Sequence, residues 1–295
     1  MSDIARMTFL EKWYSRNEVK FEIIRFTYNR EFAMILPEYS IIEQVNKNTR
    51  MLKVHNVQSF EYVLWKGLRM FERMLPYNLY YTLAKYKNGI PNQTMNLSAR
   101  NNDEWTQSKS TEEIISYDFL IDIDARFHGN FDMAKDTTKQ IKILLDDCNI
   151  GYELRFSGRG FHFIIPNNLH LLDKKYSLNP DDEMNIYQFY AHVAKMLNRL
   201  FSEMVDYKIY DSRRLVKCPY SIANYKGSCY VCLPIISDKQ FNDFKLKDAN
   251  PTLWIGKVLN RASYFFNDVK NNAEKLIKLA ELADILIHEI HDTDY

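Results

Sequence analysis

Two acidic residues, separated by a single isoleucine, stand at the end of an apolar run, Tyr-Asp-Phe-Leu-Ile-Asp-Ile-Asp, which finishes at Asp124. Alternate side chains of a strand point to the same side, so a strand here places Asp122 and Asp124 on one face. Carboxylate oxygens are the ligands that Mg²⁺ and Mn²⁺ prefer in proteins. The pair therefore predicts a site for divalent cations, although acids at a strand end often meet only solvent.

A second group of polar residues follows in the stretch Ser-Gly-Arg-Gly-Phe-His at 157–162. Small residues let backbone amides approach a phosphate, while Ser157, Arg159 and His162 supply three kinds of hydrogen-bond donor. The same stretch also fits an ordinary hairpin turn with an exposed arginine. Taken with the two acids, it indicates an active site that binds metal ions and phosphate.

A third segment, from 205 to 221, adds further acids and several cations. Its acids are Asp206 and Asp211. The cations of this segment are Arg213, Arg214 and Lys217.

Strands and helices alternate around these residues. The strand with the two acids precedes a helix that starts after Asn130 and buries Ile141, Leu144, Leu145 and Cys148. A hairpin around 157–160 and a helix from about 185 to 204 follow, and then short apolar runs from 209 to 236. This order predicts an α/β or α+β fold with a mixed central sheet flanked by helices.

The remaining elements are predicted from apolar spacing. Residues 60–75 carry apolar side chains three and four positions apart and predict a helix, and residues 79–84 predict a strand. Residues 92–116 are polar and predict a long loop. A final amphipathic helix is expected from about 273 to 291.

Composition excludes several classes of protein. The chain has 295 residues, 46% of them hydrophobic, and its 39 Lys and Arg against 38 Asp and Glu leave a net charge of +1. Any surface for nucleic acid must therefore be local. Four cysteines are too few for a disulfide framework, and no apolar run is long enough for a membrane helix. We expect a soluble intracellular protein without a membrane partner.

The ordered set of motifs resembles the catalytic small subunit of archaeal and eukaryotic DNA primases, in the archaeo-eukaryotic primase superfamily. The segments Asn-Arg-Glu-Phe at 29–32 and 76–91 agree with the family pattern, and the resemblance spans roughly 13–234. It implies the primase catalytic core as a single domain over 1–295. Residues 166–204 are a candidate helical insertion, and 237–295 a helical segment that closes the core.

The resemblance implies an enzyme that joins nucleotides into short primers on single-stranded DNA and releases pyrophosphate. Its two divalent ions, Mg²⁺ or Mn²⁺, would bind Asp122, Asp124 and Asp206, with Asp211 as the alternative third ligand. The residues expected to hold the nucleoside triphosphate are Ser157, Arg159, His162 and Lys217. Arg213 and Arg214 either join them or orient the template backbone.

The sequence also departs from the family. Only Arg159 precedes Gly160 where relatives often have two adjacent basic residues, and Asn224 stands where many have a histidine. No zinc knuckle is recognisable, and Cys229 and Cys232 are predicted to be buried strand thiols. A large subunit with an iron–sulfur domain is the expected partner. The alternatives are a standalone primase-polymerase for repair or a mobile element, a catalytically idle binding subunit, and a metal-dependent nuclease.

Overall fold

The computed structural model describes residues 3–35, 58, 60–61, 78–87, 114–125, 130–167, 184–201, 203–211, 214–225, 228–262 and 272–293. Its helices are α1 Asp3–Tyr14, α2 Asn17–Thr27, α3 Phe131–Asp147, α4 Ile186–Leu200, α5 Asp238–Asp243 and α6 Asn272–Thr293. Its strands are β1 Phe32–Ile35, β2 Asn78–Thr82, β3 Ala84–Tyr86, β4 Ile114–Tyr117, β5 Phe119–Ile123, β6 Glu153–Phe156, β7 Phe161–Ile165, β8 Leu215–Lys217, β9 Ile222–Tyr225, β10 Ser228–Val231 and β11 Leu233–Ile235. Two short 3₁₀ helices lie at Leu246–Ala249 and Pro251–Trp254.

The strands form antiparallel sheets. A central four-stranded sheet has the order β11-β6-β7-β5, and a second sheet has the order β1-β2-β8. The pairs β3-β4 and β9-β10 complete the strand pairing. The fold combines helices with these sheets, which confirms the predicted mixed helix and strand class.

One face of the central sheet is apolar and packs against helices. Phe156 and Phe161 are cross-strand neighbours on this face. The ring of Phe131 in α3 lies 6.0 Å from that of Phe156, and the ring of Phe244, after α5, lies 5.2 Å from it. Helix α3 begins as predicted, because the side chain of Asn130 accepts a hydrogen bond from the Asp132 amide at 2.8 Å.

The opposite face carries a polar row. Arg155 in β6 is paired with His162 in β7, and His162 is paired with Asp122 in β5. Directly paired residues project from the same face of an antiparallel sheet. Arg155 contacts Tyr81 of β2 and the backbone of Lys217 in β8, so the second sheet lies over this polar face.

Helices at both ends of the described chain close the core. The indole of Trp13 donates to the Tyr220 carbonyl at 2.8 Å, and the Tyr14 hydroxyl accepts from the Ile222 amide at 3.0 Å. Helix α6 packs against α4, and Asn272 at its start bonds to Gly151. Helix α6 was predicted from its apolar spacing, whereas α1 and α2 were not predicted.

Three predicted boundaries differ from the structure. The run at 79–84 is divided into β2 and β3, because the amide and carbonyl of Leu83 bond to Arg214 and Asp118 instead of a neighbouring strand. The end of the loop predicted for 92–116 overlaps β4, which begins at Ile114, while the rest of that prediction lies outside the described residues. Helix α4 ends at Leu200, before the predicted residue 204, and the chain then turns through Glu203 at φ 56°.

The hairpin around 157–160 is confirmed by strands β6 and β7, which pair in antiparallel register. The helix predicted for 60–75 falls mostly outside the described residues. Within the part of the chain that the structure describes, the helices are too short or too polar to cross a bilayer. The domain boundaries stay a prediction.

Candidate active site

Three carboxylates project from one face at the edge of the central sheet. Asp122 is in β5 and Asp124 follows its last residue. An antiparallel bridge joins Ile123 to Val205, and the Asp206 amide donates to the Asp122 carbonyl at 2.9 Å. Asp206 is therefore directly opposite Asp122, and its side chain shares the face of the other two acids.

The turn after α4 puts Asp206 in this register. The side-chain amide of Asn198 donates to the Val205 carbonyl at 2.8 Å, which ties the returning chain to the end of the helix. Glu203 adopts a left-handed conformation that reverses the chain direction. The spacing of apolar residues near 205 does not predict this pairing, because it joins residues that are far apart in the sequence.

The glycine-containing turn between β6 and β7 packs against the end of β5. The Ser157 amide donates to the Gly160 carbonyl at 2.8 Å and closes the turn. Gly158 has a φ of +104°, which favours glycine. A Cβ on Gly160 would stand 1.8 Å from the Ile123 carbonyl oxygen, so only glycine fits beside the strand. This close approach brings the turn next to the acids.

Two side chains of the turn and of β7 face the acids. Arg159 Nη2 lies 3.2 Å from Asp124 Oδ2, and His162 Nε2 lies 3.2 Å from Asp122 Oδ1. The other ring nitrogen of His162, Nδ1, is buried without a hydrogen-bond partner among the described residues. A buried polar atom of this kind is costly unless a ligand satisfies it.

Lys217 in β8 and Arg214, just before that strand, approach the same site. Lys217 Nζ donates to the Ser157 carbonyl at 2.7 Å, and burial lowers the pKa of Lys217. Arg214 Nε is buried and has no hydrogen-bond partner in the described part of the chain. Burial alone would raise the pKa of Asp122, but His162, Arg214 and Lys217 hold that pKa below its ordinary value.

The structure thus brings most of the sequence-predicted residues into one place. These are Asp122, Asp124, Asp206, Ser157, Arg159, His162, Arg214 and Lys217. Arg213 lies outside the described residues. Asp211 is exposed and stands outside the strand register, and its backbone carbonyl accepts a hydrogen bond from the Tyr117 hydroxyl.

The three acids suit a divalent cation because they offer carboxylate oxygens and project from the same face of the sheet. Within the described ranges, no three His, Cys, Asp or Glu side chains are already gathered closely enough to hold one metal ion. Asp122 and Asp124 are instead beside His162 and Arg159. A divalent cation at these carboxylates would therefore compete with these two side chains.

No protein-family model matches the sequence, and no curated protein matches it. Among solved structures, the chain is similar to the polymerase domain from Mycobacterium tuberculosis ligase D in complex with DNA. The identity is 10%, the TM-score is 0.44, and the match covers 84% of this chain and 88% of that chain. The geometry of the acids and cations, and not this distant similarity, carries the functional argument.

Sequence reasoning missed a buried ion pair beneath the site. Glu153 and Arg155 are bonded to each other, and their side chains are 1% and 0% exposed. The signal was present, because Glu153 and Arg155 are two positions apart, and alternate residues of a strand share a face. Arg155 stands only two residues before Ser157.

The upstream segment that resembled the family has a structural role here. Arg30 forms an ion pair with Asp118 at 2.6 Å. Glu31 is fully buried and accepts a hydrogen bond from the Tyr86 hydroxyl at 3.1 Å. These contacts connect α2 and β1 to the strands that lead into the site.

The two cysteines excluded as a zinc knuckle have different surroundings. Cys232 is fully buried between β10 and β11, and burial raises the pKa of its thiol to about 11. Cys229 lies in β10 and is only half-buried. The prediction of buried strand thiols was therefore wrong in part, because Cys232 is outside a strand and Cys229 is at an incompletely covered position.

Proposed function

We propose that this protein is a DNA-dependent nucleotidyltransferase that makes short primers on single-stranded DNA, as the catalytic small subunit of a primase. The supporting observation is the direct neighbourhood of three carboxylates and a cationic glycine turn. Phosphoryl transfer to a hydroxyl depends on positioning and on neutralising charge at the reacting phosphate. The sequence motifs that resemble primases contribute the carboxylates and the cations of this site.

In this proposal Asp122, Asp124 and Asp206 hold two Mg²⁺ or Mn²⁺ ions. When bound, such ions lower the pKa of an attacking 3′-hydroxyl and neutralise the charge of the leaving pyrophosphate. The carboxylates contribute hard oxygen ligands from one face of the sheet. The third ligand is assigned to Asp206 because of its register opposite Asp122.

The cations would bind the nucleoside triphosphate. Arg159 would donate from the turn and Lys217 from the second sheet. His162, whose Nε2 faces Asp122, would donate from its unsatisfied Nδ1 when both ring nitrogens carry protons. Ser157 lines the same turn. Arg214, with its unsatisfied Nε, either joins them or holds the template backbone, and Arg213 shares that assignment from its sequence position alone.

The proposed partners are the DNA template, nucleoside triphosphates and a large subunit with an iron–sulfur domain. The setting would be the intracellular replication machinery. A standalone primase-polymerase is the second candidate, since the acids and the turn would serve strand extension equally well. A catalytically idle binding subunit is favoured by the contacts with His162 and Arg159 that already engage Asp122 and Asp124.

The test is synthesis on single-stranded DNA with Mn²⁺ or Mg²⁺ and labelled ribo- or deoxyribonucleoside triphosphates, with and without an annealed primer. We expect products without a primer, separated on a denaturing gel. Extension only from a primer would favour the polymerase. Absence of any product would favour the binding subunit, and release of nucleotides from labelled DNA without triphosphates would indicate a nuclease.

Variants make this test specific to the site. Asp122→Asn and Asp124→Asn keep side-chain size but remove the charge, so both should abolish synthesis. Asp243→Asn, at an exposed position of α5, is the matched control and should retain it. Full synthesis by either site variant would contradict the assignment of the metal ligands.

A further inference from the structure

A charged pair is completely buried next to the candidate phosphate-binding turn. Arg155 Nε lies 2.9 Å from Glu153 Oε1, and Arg155 Nη2 lies 2.6 Å from Glu153 Oε2. The guanidinium therefore bonds both oxygens of one carboxylate, which is the strongest geometry for such a pair. The side chains of Arg155 and Glu153 are 0% and 1% exposed, so neither meets solvent.

The remaining donors of Arg155 cross from the central sheet to the second sheet. Nη1 donates to the Lys217 carbonyl at 2.6 Å, and Nη2 donates to the Tyr81 hydroxyl at 3.1 Å. The guanidinium carbon also lies 5.7 Å from the centre of the Tyr81 ring. Arg155 thus joins β6 to β2 and β8, and its contact with β8 falls on Lys217.

The side chain of Lys217 returns to the strand that carries Arg155. Its Nζ donates to the Ser157 carbonyl at 2.7 Å, two residues after Arg155. The contacts form a closed circuit in which Arg155 holds the Lys217 backbone and Lys217 holds the turn. A shift of β8 relative to β6 would alter both ends of this circuit together.

Stability alone is a weak reason for such a pair. A buried ion pair often contributes no more stability than apolar side chains of similar volume, because burying two charges is costly. Arg155 and Glu153 could be replaced by such side chains without loss of packing, yet the Lys217 carbonyl would lose its donor. The specific consequence of the pair is therefore the position of Lys217.

We propose that Glu153 and Arg155 are positioning residues that fix Lys217 against the phosphate-binding turn. The inference rests on the proposed function, in which Lys217 contacts the triphosphate. Glu153 orients the guanidinium, and the guanidinium orients Lys217. Neither Glu153 nor Arg155 itself needs to touch the nucleotide.

The test variant replaces the whole pair, as Glu153→Leu with Arg155→Met. Removing Arg155 alone would leave a buried, unpaired carboxylate and would unfold the protein for reasons unrelated to Lys217. The double replacement keeps volume and apolar packing, so thermal unfolding should show a folded protein. If it does not, Arg155→Lys serves instead, because a lysine keeps the charge beside Glu153 but lacks the planar fork that reaches Lys217.

The first readout is independent of catalysis. The folded protein is treated with a water-soluble acetylating ester. Acetylation of Lys217 is then followed over time by mass spectrometry of the peptide that contains it. Lys217 should be acetylated several-fold faster in the double variant than in the unaltered protein, because its Nζ is no longer held at the Ser157 carbonyl. An unchanged rate would overturn the positioning role.

The second readout is the dissociation constant of a fluorescent ATP analogue. We expect an increase of about tenfold in the double variant, the effect of losing one well-placed charged hydrogen bond. In a Lys217→Met background, the same double replacement should cause no further increase. An additive effect would show that the pair acts through something other than Lys217 and would overturn the inference.

The matched control is a second, less deeply buried arginine–carboxylate pair, replaced as Arg30→Met with Asp118→Leu. Arg30 donates to the carbonyls of Thr82 and Leu83 instead of Lys217, so this variant should leave Lys217 acetylation unchanged. If the unaltered protein fails to bind the ATP analogue, the proposed function is wrong. The acetylation rates then still decide whether the pair holds Lys217.

Discussion

Asp122 and His162 are directly opposite each other on antiparallel strands β5 and β7, with Nε2 of the histidine 3.2 Å from Oδ1 of the aspartate. One belongs to the predicted metal-binding motif and the other to the predicted phosphate-binding motif. Their register makes the two motifs a single site. The charge of one group therefore affects the behaviour of the other.

This pairing predicts how stability depends on pH. Burial by itself would raise the pKa of Asp122, but His162, Arg214 and Lys217 hold it below its ordinary value. The unfolded chain, with an Asp pKa of about 3.9, then binds more protons at this position than the folded protein in mild acid. The contribution to stability is complete above about pH 4 and is lost as the pH falls through the folded pKa.

Asp122→Asn removes this titration. Urea unfolding between about pH 3 and pH 6 should therefore show a smaller acid-induced loss of unfolding free energy in the variant than in the unaltered protein. Asp243→Asn, at an exposed site, is the control and should follow the unaltered protein. If the unfolding free energy of Asp122→Asn fell with pH as steeply as that of the unaltered protein, the interaction of Asp122 with His162, Arg214 and Lys217 would be contradicted.

A comparison of two variants can decide whether Asp206 or Asp211 is the third carboxylate of the candidate site. Asp206 is opposite Asp122 in the strand register, whereas Asp211 is exposed outside it. Under the proposed function, Asp206→Asn should reduce nucleotide incorporation by about 100-fold or more, because the proposed metal site loses a charged ligand. Asp211→Asn should keep most of the activity.

Initial rates of synthesis with Mn²⁺ measure the difference between these two variants. Thermal unfolding of both proteins verifies that each is folded. The reverse order of activities would move the third ligand to Asp211. It would leave the roles of Asp122 and Asp124 unaffected.

Gly160→Ala should damage the turn more than an equivalent change elsewhere. The new methyl group would stand 1.8 Å from the Ile123 carbonyl oxygen, so the turn or β5 must move. We expect a loss of about 2–3 kcal/mol in unfolding free energy and weaker binding of triphosphate. Urea titration and the fluorescent ATP analogue measure the two effects.

Gly256→Ala separates crowding from backbone strain. Gly256 has a φ of +76°, but open space surrounds its Cβ position. Its replacement should cost only about 1 kcal/mol and leave triphosphate binding unchanged. If the two alanine variants were equally destabilised, crowding at Gly160 would not be the cause.

Asn272→Ala should loosen the closure of the core by α6. The side chain of Asn272 donates to the carbonyls of Gly151 and Pro166 at 3.1 and 2.8 Å, and accepts from the Gly151 amide at 3.3 Å. Alanine leaves these buried groups unsatisfied, at a cost of about 2–4 kcal/mol. Glu274→Ala, exposed in the same helical turn, should cost no more than about 0.5 kcal/mol.

Thermal unfolding of the two α6 variants measures this difference. A similar melting temperature for both would show that the hydrogen bonds of Asn272 are replaced by water. The residues of the candidate active site are unaltered in either case. The comparison therefore reports on the stability of the fold alone.

Local patterns were sufficient where neighbouring residues decide the outcome. The alternation of a strand placed Asp122 and Asp124 on one face, and the small residues of 157–160 predicted the turn between β6 and β7. Helices α3 and α6 were visible in apolar spacing. In each case the signal lies within a few consecutive residues, so no knowledge of distant contacts was needed.

Tertiary structure alone decided which distant segments meet. Asp206 is opposite Asp122 only because the chain turns back after α4 and bridges to Ile123. Arg155 reaches Lys217 only because the second sheet lies over the polar face of the first. Such contacts depend on how whole sheets pack, and the spacing of residues within one strand contains no information about the strand that will lie above it.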